Sequence, residues 1–129
     1  MKVPDLANVE AAGVHPWTGQ AEPLRAAAAQ AHLKFSACAL GHAQDRAAVF
    51  AELDSKLKLP DHFGHNWDAL ADVIEDRDWL GKTGRVILVT GVTAYRKDHP
   101  KDWATLEDIL AEAAEFWKEL HVPFWVFTA

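Results

Sequence analysis

A chain of 129 residues, half of them hydrophobic, is long enough to close one packed domain and too short to favour two. A net charge of −6 and a pI near 5.6 argue against a nucleic-acid binder, because affinity for a phosphate backbone comes mainly from lysine and arginine. The single cysteine, Cys38, excludes an internal disulfide, no window approaches the ~20 apolar residues of a membrane span, and the start MKVPDLANVEAAGVHPW lacks the order of a secretory signal, so a soluble cytoplasmic protein is expected.

Residues 1–20 carry Pro4, Gly13, Pro16 and Gly19 with no sustained period, which predicts an irregular segment pinned by Trp17. Ala21 to His32 is alanine-rich with Pro23 at a first-turn position, which predicts a short helix covering the core or a partner. From Leu33 the pattern alternates, with Leu33, Phe35, Ala37 and Ala39 on one side and Lys34 and Ser36 on the other, as in a strand ended by Gly41. In that setting Cys38 reads as a buried thiol and not a nucleophile. Asp45 is placed to cap a helix whose apolar residues Val49, Phe50, Leu53 and Leu57 recur at three- and four-residue steps and which stops before Pro60.

The next stretch, LPDHFGHNWDALADVIED, is the most informative of the chain. Asn66 is a helix N-cap, Gly64 allows a tight turn before it, and Trp67, Leu70, Val73 and Ile74 gather on one side while Asp68, Asp72 and Glu75 fall on the other. Like charges at i and i+4 cost an isolated helix about 0.2–0.5 kcal/mol, so the pair Asp68 and Asp72 weakens the fold it sits on. Asp68 is explained by the helix dipole; Asp72, a turn later, is not. Residues 61–80 contain Asp61, Asp68, Asp72, Glu75, Asp76 and Asp78 against Arg77 alone, which concentrates nearly all the chain's charge imbalance in one segment. The pattern leaves open a solvated face and a surface that steers a basic partner.

Beyond it, Arg85 to Thr90 reads RVILVT, a branched run suited to a strand covered on both faces and broken by Gly91. Residues 94–101, AYRKDHPK, predict a polar loop with a small basic cluster. Asp102 then caps a long helix with Leu106, Ile109, Leu110, Ala113, Phe116, Trp117 and Leu120 inward, and residues 123–128 close as a strand. Strand, helix, helix, strand, helix, strand is the order of an α/β domain with a small three-stranded parallel sheet flanked by helices.

The run Leu59-Pro60-x-x-Phe63-Gly64-x-Asn66-Trp67-Asp68-Ala69-Leu70-x-Asp72 closely resembles the signature of the barstar family, intracellular protein inhibitors of barnase-type ribonucleases. The element order extends the resemblance over residues 32–129 as a barstar-like domain and leaves 1–31 as an N-terminal extension. The resemblance implies that loop and helix plug a ribonuclease active site in a one-to-one complex, the free protein being a monomer. Asp72 then matches the aspartate that enters the phosphate-binding pocket, Asp68 its neighbour one turn earlier, and Gly64, Asn66 and Trp67 loop positions at the interface. His62, Phe63, Ala71 and Glu75 complete the implied surface, with Glu115, and Glu119 beside it, matching a second acidic position on the last helix. His62 and Ala71 stand where the best-known member has tyrosine and tryptophan, so barnase and a related secreted or toxin ribonuclease with a different rim are both candidate targets.

Other constellations are weaker. His62 and His65 beside Asp61 and Asp68 offer imidazole and carboxylate but no third ligand at a familiar zinc spacing, so no metal or cofactor is expected. A metal-dependent nuclease using His65, Asp68 and Asp72 would repel its own substrate, and no nucleophile setting or phosphate loop suggests another enzyme. Trp79 is equally a core residue and an interface rim, and Trp117 and Trp125 face the core. The competing binding role is an acidic adaptor for a basic protein other than a nuclease.

Overall fold

The computed structural model describes residues 2–129. A parallel sheet of four strands, in the order β1-β4-β3-β2, runs through the middle of the molecule. Its strands are β1 (Val14–Pro16), β2 (Lys34–Ala39), β3 (Arg85–Thr90) and β4 (Phe124–Thr128). In β3, Ile87 and Val89 point to one side and Val86 and Leu88 to the other, and all four are buried, as the uninterrupted apolar run predicts.

Five helices lie on the first side: α2 (Arg46–Leu57), α3 (Trp67–Val73), α4 (Arg77–Leu80), α5 (Val92–Asp98) and α6 (Pro100–Glu119). Leu53, Leu57, Leu70, Ile74, Leu110 and Trp117 pack there against Ile87, Val89, Phe124 and Val126. The second side is closed by α1 (Ala21–Gln30) and the segment before it, where Leu6, Trp17, Leu24 and Ala28 cover Val86, Leu88, Trp125 and Phe127. The segment read as an extension thus supplies half of the sheet's cover. Burying Leu24 and Trp17 alone removes enough apolar surface from water to contribute about 2–3 kcal/mol each.

Three local expectations need correction. The sheet has a fourth strand, because Val14, His15 and Pro16 pair with Val126, Phe127 and Thr128. Three residues are too few to show an alternation, and Pro16 is tolerated because β1 is an edge, where its missing N–H removes no ladder bond. The predicted loop 94–101 is mostly helical: Val92 and Tyr95 are buried three residues apart, and Thr93, Arg96, Lys97 and Asp98 face outward in α5. Consequently α6 starts at Pro100, with His99 at its N-cap. Asp102 lies in the first turn instead of capping it, and accepts from Arg46 Nε at 3.0 Å.

The other caps are as expected. Asp45 accepts from the Ala48 N–H at 2.9 Å, and α2 ends with Lys58 in the left-handed region before Pro60. Gly91, at φ +73, begins α5 where a side chain would collide with the backbone of Gly41, so the ends of β2 and β3 approach as closely as two glycines allow. Burial, and after it the charge of Glu52, pushes the Cys38 thiol up to about 12, which leaves it inert. Among the described residues no helix is long and apolar enough to cross a membrane.

Candidate functional site

The acidic helix is only seven residues long, too short to be stable alone, so its conformation depends on what holds its ends and its inner face. At the start, Asn66 Oδ1 accepts from the Ala69 N–H at 2.8 Å while Asn66 Nδ2 donates to the Gly64 carbonyl at 3.2 Å. At the end, the Trp117 indole N–H donates to the Ile74 carbonyl at 2.8 Å. Leu70, Val73 and Ile74 are buried along the inner face.

The preceding loop is fixed as firmly. Phe63 is buried, its N–H bonded to the Pro60 carbonyl, and its ring lies 4.9 Å from that of His65. His65 Nε2 donates to Asp54 on α2 at 3.0 Å. The left-handed residue of this turn is His65, at φ 51, while Gly64 before it is not at positive φ. A Cβ on Gly64 would meet only ordinary contacts, with Ala69 and Asn66. Trp67 stands half-buried with its ring against Phe50 at 4.7 Å, so it both anchors the helix start and keeps an exposed edge.

On the outer face Asp68 and Asp72 are exposed, and neither carboxylate has a hydrogen-bond or ion-pair partner among the described residues. His62, Gly64 and Asn66 are exposed with them, and Ala71 is half-buried beside Asp72. Glu75 lies beyond the last helical residue, Val73, and is half-buried. Its carboxyl is held above the usual range, first by burial and then by the charges of Glu112 and Asp72. Those two causes identify Glu112, on α6, as an acid joined electrostatically to the α3 face. Glu115, the acid on this helix that the family resemblance implies, is exposed and lies 3.5 Å from Lys118 Nζ.

Reading the sequence also missed the N-terminal turn of α2. Arg46 and Ala47 join Phe50, His65, Asn66 and Trp67 around an open, mostly apolar hollow of about 270 Å³ next to the loop. Trp79, which could have been at a rim, is in the core, donating its indole N–H to the Leu57 carbonyl at 2.9 Å. No group of three or more metal-ligating side chains forms among the described residues.

The arrangement is a preorganised display of unpaired carboxylates, with an apolar hollow at one side. Such a surface accepts charge-assisted hydrogen bonds from arginine, lysine or histidine with little ordering cost, since the backbone carrying it is already fixed. A family model described as Barstar (barnase inhibitor) matches residues 33–129, and the chain belongs to this family. A comparison with curated proteins finds no match. Members of the family are inhibitors and not enzymes, and the family implies a ribonuclease as binding partner.

Proposed function

We propose that this barstar-family chain binds a basic ribonuclease one to one and occludes its active site with the outer face of α3 and the loop 61–66. The observation that carries the reading is the pair Asp68 and Asp72, one turn apart, exposed and unpartnered on a helix fixed at both ends. A ribonuclease site gathers cationic side chains to hold a phosphate. A rigid carboxylate satisfies the same donors and offers no bond to cleave. The excess of acids over residues 61–80 steers encounter with such an enzyme. Barnase and barstar are the type case of steered association and of charged hot spots, so that logic reaches this chain through its family and carries no independent magnitude.

Asp72 enters the pocket, Asp68 flanks it, and Glu75 with Glu112 extends the negative surface toward α6. The departures at His62 and Ala71 alter the rim, where a related ribonuclease would differ from barnase. An unpaired, buried Cys38 suits the reducing interior of the producing cell, where such an inhibitor protects against its own secreted enzyme or a delivered toxin.

The test is titration calorimetry against barnase and against the ribonuclease encoded nearest to this chain, with RNA cleavage followed in parallel. Tight one-to-one binding that abolishes cleavage supports the reading. Binding to a basic protein without ribonuclease activity, with none to either enzyme, would replace it with the adaptor role.

A further inference from the structure

Away from the acidic face, four cations of this acidic protein converge on one pocket. Lys34 and Ser36 of β2, Lys56 and Lys58 at the end of α2, Trp79 of α4 and Arg85 of β3 line an opening of about 370 Å³. It shares no lining residue with α3 or the loop before it.

Lysines near a helix C-terminus are ordinary, since they complement the dipole, and Lys56 is already bonded to Glu52 at 3.1 Å. Arg85 is not ordinary. It is only 4 % exposed, yet no carboxylate reaches it among the described residues. Nη1 donates to the Leu57 carbonyl at 2.9 Å, and the guanidinium carbon lies 4.3 Å above the Trp79 ring. Both partners are neutral. Nε is buried with no acceptor among the described residues. Arg85 and Lys34 are register partners on adjacent strands, so their side chains leave the same face of the sheet and their charges add. A buried guanidinium without a counter-charge is costly, and burial indeed lowers its affinity for its proton.

We propose that this pocket binds a phosphate group, held by Arg85 with Lys34 and Lys58 and free of the surface that meets the ribonuclease. A phosphate carries about −1.5 to −2 charge at neutral pH and several acceptor oxygens, which matches several convergent cations better than a single carboxylate does. Trp79 forms an aromatic wall beside the cations, which gives an organic group on the phosphate a surface to rest on. The source is either free inorganic phosphate or the phosphate of a mononucleotide.

The experiment is an NMR titration of the full chain, following the Arg85 Nε–H, the Trp79 indole N–H and the amides of residues 34–36 and 56–58. Inorganic phosphate, adenosine monophosphate and acetate are added separately at constant ionic strength. Saturable shifts confined to these groups are expected with phosphate, weakened about fivefold by Lys34→Ala and by Lys58→Ala and unchanged by Lys101→Ala. These surface variants keep the fold where Arg85→Met could lose it. Tighter binding of the mononucleotide assigns the site to a nucleotide, and equal binding assigns it to free phosphate. Shifts that never saturate, that spread over all lysines, or that acetate reproduces at the same concentration overturn the proposal.

Discussion

The indole N–H of Trp117 donates to the main-chain carbonyl of Ile74, 2.8 Å away, and so ties α6 to the C-terminal end of the acidic helix. That carbonyl is one of the four a helix leaves without an internal partner, and it is buried. Trp117→Phe keeps most of the packing and removes the donor, which should cost about 1–3 kcal/mol in urea unfolding. The same variant should bind its ribonuclease more weakly, because the acids lose their support. Unchanged stability would mean that the bond contributes nothing.

Asp72→Ala should weaken binding more than any other single truncation on this face, by about a hundredfold or more, mainly through faster dissociation. Glu75→Ala and Glu112→Ala should instead slow association and reduce its salt dependence. Stopped-flow kinetics separate the two. Equal binding by Asp72→Ala and the parent protein would show that α3 does not enter the enzyme's site.

Asn66→Ala removes the side-chain acceptor of the Ala69 N–H and should destabilise the protein by about 1 kcal/mol. In so short a helix the loss is felt at every position, so hydrogen exchange over residues 67–73 should accelerate before the rest of the chain responds. Exchange no faster there than elsewhere would show that packing alone holds the helix.

Glu75 gives the pH dependence. Burial and the charges of Glu112 and Asp72 raise its folded-state pKa above the ordinary 4.5. The native state therefore binds this proton more tightly than the unfolded chain does, and the stability it confers is present below 4.5 and lost as pH rises through the folded value. Glu75→Gln should raise the melting temperature at neutral pH, with the difference shrinking in acid. A basic partner relieves the same repulsion, so complex formation in mildly acidic buffer should release protons, read as a dependence of binding enthalpy on the buffer's ionisation heat. No such dependence, together with an unchanged melting temperature, would remove Glu75 from the cluster.

Leu24 lies outside the span matched by the family model but is completely buried on the sheet's second side. Leu24→Ala should cost about 2–5 kcal/mol, as for any core leucine. A loss well under 1 kcal/mol would mean that α1 detaches freely from the sheet.

Features set by neighbours in sequence were legible beforehand. Asn66 and Asp45 act as caps where their positions before apolar-periodic runs place them, and the two faces of α3 follow from its spacing. Features set by distant partners were not. Val14 to Pro16 is a strand only because Val126 to Thr128 lies beside it. Only Val92 and Tyr95 turn inward in α5, too few to distinguish a short helix from a polar loop. His65 carries the left-handed turn although a glycine precedes it, and its bond to Asp54 reaches across to another helix. The crossing of α6 over α3, which brings Glu112 toward Glu75, depends on how two helices pack and leaves no mark in either one alone.

The pairing of Val14 with Val126 also has a consequence in time. As the polypeptide leaves the ribosome, residues 14–16 emerge early, yet the strand that binds them is made more than a hundred positions later. Until residues 124–128 are free, α1 and β1 have no completed sheet to rest on, and Leu24 and Trp17 stay open to water. Long-range parallel pairing of this kind is intrinsically slow to form. The chain therefore completes its own assembly only after translation has passed β4.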